Sequence, residues 1–198
     1  MDARNDPRIS TEVNLFDFFH EQVHEACDGE AIRLSTDGSL YLAQLLADRA
    51  HTDNAPPAHD TLAELHARAL QGSPSEQAKT WRALGDRALY DLGQYREHLQ
   101  KKVVPLSYYE AMGASAYRRA DEVLARFFAR AFGDVFGELA ERFRDCVRVL
   151  ERVRTRHGRD PIDALWQAWL ETGDEGVAAR LRARGVLVPR HPFTTGSA

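Results

Sequence analysis

Cysteine is scarce in this sequence: only Cys27 and Cys146 occur, and no Cys-x-x-Cys pair exists. Zinc-finger frameworks are therefore excluded, and a single disulfide is the less expected state of the two thiols in a chain without an export signal. Both thiols fall at apolar positions of helical patterns, where a free cysteine behaves as a small hydrophobe. Long apolar runs are also missing. None approaches the roughly 20 residues that a membrane-spanning helix needs. The first residues, Met1 to Asp6, are polar and lack the apolar stretch of a secretory signal, so the expected location is the cytoplasm. There is no run of alternating β-branched residues long enough for a sheet, and no internal repeat. No glycine-rich phosphate loop or nucleophile elbow occurs, which lowers the expectation of an enzyme and leaves no cofactor implied.

What is present is ordinary globular composition. Hydrophobic residues make up 43% and charged residues 28%, enough apolar surface to build a core without a metal or disulfide. The net charge of −4 is unevenly spread. The first hundred residues carry 9 basic and 17 acidic side chains, the remainder 17 and 13. Such asymmetry suits a charged partner but is also what an unevenly solvated surface looks like.

The periodicity is helical throughout. After a polar lead-in over 1–13, Asn14 is a good N-cap for a helix carrying Leu15, Phe16, Phe19, Val23 and Cys27, stopped by Asp28-Gly29. A second helix starts near Ser35 or Thr36 and carries Leu40, Leu42, Leu45 and Leu46. The stretch from His51 to His59, with Pro56-Pro57, reads as a loop. Three capping boxes follow, in which a side-chain oxygen and a Glu three residues on satisfy the amides at a helix start: Thr61 with Glu64, Ser73 with Glu76, and Ser107 with Glu110. The second opens a helix burying Trp81, Leu84, Ala88 and Leu92. Gly93 and Pro105 bracket a separate, shorter helix around Leu99.

Gly133-Asp134 ends the helix from Ser107. Phe136, Leu139, Phe143, Cys146, Leu150 and Val153 then step by three and four, predicting one helix from Val135 to Arg156. Its hairpin with the preceding helix is expected at the centre of the bundle, with Phe127, Phe128, Phe136 and Phe143 in the core. Asp160-Pro161 and Asp174 cap two last helices, the second ending at Gly185. Ala31–Leu34 and Val186–Val188 are the only extended candidates. The expected fold is all-α: a bundle of long antiparallel helices with shorter packed helices and no substantial sheet. It is one domain over 14–188, followed by a polar tail at 189–198.

Three constellations carry functional meaning. His20-Glu21-Gln22-Val23-His24 resembles the H-E-x-x-H motif of zinc peptidases, in which the two histidines bind zinc from one helical face and the glutamate activates water. The resemblance covers five residues. Glu25 stands where those enzymes carry an uncharged residue, Cys27 where the longer motif needs glycine, and no downstream motif supplies a third ligand. Glu21-x-x-His24 is also the unit used twice in di-iron bundles, and no second copy exists.

The second constellation is at the C-terminal end. Helix 161–171, the turn Thr172-Gly173-Asp174 and helix 175–184 have helix-turn-helix proportions, and Arg180, Arg182 and Arg184 could contact DNA. Trp169 occupies the position that needs a small residue, and the acidic net charge disfavours nucleic acid. The competing reading is a terminal hairpin pinned by Trp166 and Trp169.

The third is a concentration of Tyr90, Tyr95, Tyr108, Tyr109 and Tyr117 with Gly85, Gly93 and Gly113. Tyrosine pairs an apolar ring with a polar tip and is enriched at protein interfaces. Close helix packing is the competing reading. These signals give one main expectation: a non-enzymatic helical interaction protein, an adaptor or regulatory subunit, with a protein partner on the tyrosine face. A zinc-dependent hydrolase at His20, Glu21 and His24 and a DNA-binding regulator at Arg180, Arg182 and Arg184 are the alternatives.

Overall fold

The computed structural model describes residues 7–50, 61–127, 134–156, 162–183 and 185–188. These residues form helices joined by turns, with no strand among them. In chain order the helices are α1 (Pro7–Gly29), α2 (Thr36–Ala50), α3 (Leu62–Ala69), α4 (Pro74–Leu99), α5 (Leu106–Phe127), α6 (Val135–Glu141), α7 (Phe143–Arg156), α8 (Ile162–Thr172) and α9 (Glu175–Arg182). The two stretches read as extended candidates, 31–34 and 186–188, form neither strand nor ladder.

Two of the three capping boxes form as the sequence indicates. Thr61 and Ser73 each accept from the amide three residues on, while Glu64 and Glu76 reach back to the cap amides. Pro74 occupies the first turn of α4, where its missing amide proton costs nothing. Asp174 accepts from the Val177 amide at 2.8 Å and opens α9. That helix closes at Gly185, whose φ of +83° lets the Val186 amide fold back onto the Leu181 carbonyl. The third box does not form. Helix α5 begins at Leu106, ahead of Ser107, and Glu110 instead accepts from Arg144 at 2.9 Å.

Three boundaries differ from the periodicity reading. Helix α1 starts at Pro7, inside the segment read as a lead-in. It runs through Gly29 and is closed by Ala31 at φ +53°, with the Ile32 amide returning to the Cys27 carbonyl. Helix α4 continues through Gly93, because Gly93 is a contact point: a Cβ there would lie 2.4 Å from the Leu150 Cβ of α7. The helix bends only at Tyr95 (φ −124°, ψ +25°). Finally, the apolar stripe from Phe136 to Val153 is split at Arg142 (φ −105°, ψ +26°). The break lets one stripe serve two neighbours: α6 packs on α5 and α2, and α7 on α4 and α1.

The long helices α4 and α5 form an antiparallel pair that makes the most extensive contact in the fold. Helix α1 packs on α2 and on α7, α3 covers the start of α4, and the α8–α9 hairpin docks on α2. Leu84, Leu89 and Leu92 from α4, Leu139 from α6, Leu150 from α7 and Trp166 from α8 are completely buried. Each such aliphatic side chain contributes about 1.5–3 kcal/mol through removal from water. Phe136 and Phe143 are in this core as expected, but Phe127 is 51% exposed and belongs to the surface. Phe128, the Asp160-Pro161 cap, the 51–59 loop and the 189–198 tail lie outside the described residues.

Candidate functional site

The most organised polar feature was not visible in the sequence. Asp86 projects from the middle of α4 into the space between α2 and α5. Its Oδ1 accepts from the Tyr41 hydroxyl at 2.6 Å and from the Tyr117 hydroxyl at 2.8 Å. Arg82, one turn earlier, donates from Nε to the Tyr41 hydroxyl at 2.9 Å and sits 3.5 Å from Asp86 Oδ2. Its guanidinium also lies over the Tyr41 ring, 5.2 Å from the centroid. Phe136 of α6 stacks on Tyr117 and meets Tyr41 edge-on, which fixes both phenols. Tyr117 fits only because Gly85 faces it: a Cβ there would approach the ring to 2.7 Å.

Burial raises the pKa of the Asp86 carboxyl above the ordinary aspartate value, outweighing the hydroxyl bonds and Arg82, which pull it down. Tyr41 and Tyr117 are raised further above the usual phenol range, first by burial and then by the Asp86 charge. Both phenols are therefore locked as donors. They donate to Asp86 and have no proton to give up near neutral pH.

Beside this node a cleft of about 410 Å³ opens to solvent. Its walls are the ring of Tyr41, Ala78, Leu124, Val135 and Phe136, and its polar edge is Ser75, Lys79 and Arg82. A shallower hollow of about 320 Å³ continues past Tyr41 and Val135 toward Phe16, Leu40 and Gln44.

The five sequence-predicted tyrosines divide. Tyr117 is fully buried on Asp86, and Tyr90 and Tyr109 are buried as well, so these three are turned into the fold. Tyr95 and Tyr108 are exposed on either side of the α4–α5 turn. That turn is Lys101-Lys102-Val103-Val104-Pro105. Val103 is fully exposed and Val104 is 39% exposed. Both lysines and His98 are exposed beside them. The valines were missed because a two-residue apolar run next to a proline has no periodicity to register.

The H-E-x-x-H residues lie on α1. His20 is half-buried and stacks on Phe16, with ring centroids 5.9 Å apart. Glu21 and His24 are exposed, and His24 Nδ1 faces Asp28 at 3.4 Å. Among the described residues no group of three or more His, Cys, Asp or Glu is placed to hold a metal ion. Cys27 and Cys146 are buried and free. Burial raises both thiol pKa values, that of Cys146 to about 12, so neither supplies a thiolate.

The C-terminal hairpin buries Trp166 and Trp169 completely, their rings 5.1 Å apart. Arg180 and Arg182 are on the exposed side of α9, and Arg182 pairs with Glu175. Arg184 lies outside the described residues. Trp169 does not separate the two helices. It is accommodated because the Gly173 amide bonds back to the Trp169 carbonyl at 2.8 Å, and φ of +62° at Gly173 turns the chain sharply.

No protein-family model, no curated protein and no solved structure matches this chain.

Proposed function

We propose that the protein is a non-enzymatic helical interaction protein, an adaptor or regulatory subunit, that docks a protein partner on the α4–α5 turn. One observation carries this reading. Val103, Val104, Tyr95 and Tyr108 are all exposed around a single turn, at the end of the most firmly packed helix pair in the fold. Exposed large apolar side chains gain when a partner covers them. The rigid pair beneath it limits the ordering cost of binding. Lys101 and Lys102 are exposed in the same turn, so the partner surface that fits is an apolar pocket rimmed by carboxylates. A reducing compartment such as the cytoplasm suits two buried free thiols.

A photo-crosslinking amino acid in place of Val103 tests the reading in the protein's own cell. The expected result is one discrete heterologous adduct. The same group in place of exposed Glu122 should give none, and the adduct should disappear when Val104→Asp and Tyr108→Ala are added. No adduct at 103, equal adducts at both positions, or an adduct between two copies of this chain would each overturn it.

A further inference from the structure

We propose that the cleft between α2, α4, α5 and α6 binds a small amphipathic anion: a single carboxylate carried on an apolar acyl or aryl body. The α4–α5 turn shares no residue with this cleft, so the site is independent of the docking reading above. Three features of the cleft point to that class.

The first is its division into a polar edge and an apolar wall. Ser75, Lys79 and Arg82 succeed one another at helical spacing along one face of α4. Opposite them are Leu124 from α5 and Val135 and Phe136 from α6, with the Tyr41 ring as floor. A ligand that is apolar throughout would leave the donors at the edge without an acceptor from the ligand. One that is charged throughout would place its charge on the wall. A single anionic head on an apolar body matches both sides. At about 410 Å³ the cleft falls within the size range of small-molecule sites, roughly 300–1,000 Å³.

The second is the charge balance. Asp86 lies behind Arg82 and offsets that guanidinium. Lys79 is exposed at the edge, and its charge acts on the Glu76 carboxylate one turn before it without a direct ion pair between them. Glu76 is held by the Ser73 amide at 2.8 Å in the capping box. Both carboxylates are engaged within the fold, so an exposed ammonium beside a prepositioned guanidinium favours an anionic head over a neutral or cationic one.

The third is preorganisation. Arg82 is anchored at Nε by Tyr41, and Tyr41 is anchored in turn by Asp86 and by the edge of Phe136. The guanidinium is thus held at the cleft edge before any ligand arrives, and its side chain remains 49% exposed there. A prepositioned arginine loses little rotamer freedom on binding a carboxylate. Asp86 and Tyr41 act as positioning residues for Arg82.

Calorimetric titration and thermal melting of the full chain with decanoate, held below its micellar concentration, test the proposal. Decanol and decyltrimethylammonium serve as neutral and cationic arms with similar apolar bodies. The expected result is one decanoate per chain and a melting temperature that rises with ligand. Decanol should bind about tenfold more weakly or less, and the ammonium not measurably. Lys79→Glu is a substitution of an exposed side chain that leaves the fold intact. It should weaken decanoate about tenfold or more without changing decanol binding. Leu124→Trp, which fills the wall, should weaken both, and Val103→Asp at the turn should change neither. Equal binding of all three probes, absence of saturable decanoate binding, or decanoate affinity unchanged in Lys79→Glu would each overturn the proposal. The Lys79→Glu comparison decides it even if Leu124→Trp fails to fold.

Discussion

The Glu138 carboxylate closes the N-terminus of α2 by accepting from the Ser35 amide at 2.7 Å and from the Ser35 hydroxyl, across 103 residues of sequence. Ser35 is the cap, and its hydroxyl accepts from the Gly38 amide at 3.0 Å. In a local capping box the third helical residue supplies the glutamate. Here that residue is Gly38, and Glu138 from α6 takes its place. A Cβ on Gly38 would lie 2.6 Å from Glu138 Oε2, so the absence of a side chain makes room for the borrowed carboxylate. Glu138→Ala should cost about 1–2 kcal/mol, the range of a lost N-cap. Urea denaturation measures it, and a change under about 0.5 kcal/mol would show that the cap contributes little.

The Asp86 node sets a pH dependence. Its folded-state pKa is raised above the value in the unfolded chain, so the folded protein binds that proton more tightly. The resulting contribution to stability is fully present below the unfolded value, about 3.9. It is lost as pH rises through the folded pKa. Asp86→Asn keeps an acceptor for Tyr41 and Tyr117 and removes the titration. Its stability should therefore lack this decline above about pH 4, and its fold should be retained. Asp86→Ala leaves two hydroxyls without their acceptor and should cost about 2–4 kcal/mol at neutral pH. Equal slopes of stability against pH in the wild type and Asp86→Asn would refute the assignment.

Phe143 is the link between the broken stripe and the central pair. Its ring is buried against α5 at Gly113, where a Cβ would come within 2.3 Å of the ring. Phe143→Ala should cost about 3–5 kcal/mol, and Gly113→Ala about 1–3 kcal/mol by overpacking. Because these contacts are within one chain, both losses should be independent of protein concentration. A melting temperature that begins to track concentration in Phe143→Ala would instead make the stripe an interface between chains.

The histidines of the H-E-x-x-H string predict the opposite outcome to that of a metal site. Replacing His20 and His24 together with alanine should change stability by within about 1 kcal/mol, with the loss of the Phe16 stacking as the main term. It should also leave cross-linking at position 103 intact. Elemental analysis of untagged protein gives the independent readout: stoichiometric zinc in the wild type that is absent from the double variant would overturn this.

The sequence by itself determined the helical class and most helix ends, because those signals act within one turn. Thr61 with Glu64, Ser73 with Glu76, and Asp174 with Val177 satisfy amides three residues away, and no distant residue is needed to predict them. The stripe from Phe136 to Val153 likewise went to the core as its spacing required. The tertiary structure decided where that stripe breaks and what the polar residues do. Arg142 bends the chain because α6 and α7 must face different neighbours, which the stripe's own period does not encode. Gly93 reads locally as a helix stop, but it is spaced for Leu150, and packing gain there outweighs its poor helix propensity. Asp86 with Arg82 reads as an ordinary exposed pair one turn apart. Only the approach of Tyr41 and Tyr117 from two other helices turns it into a nearly buried node beside a cleft. The same approach took Tyr90, Tyr109 and Tyr117 out of the surface and left Tyr95 and Tyr108 on it, because exposure is a property of what packs against a residue rather than of the residue.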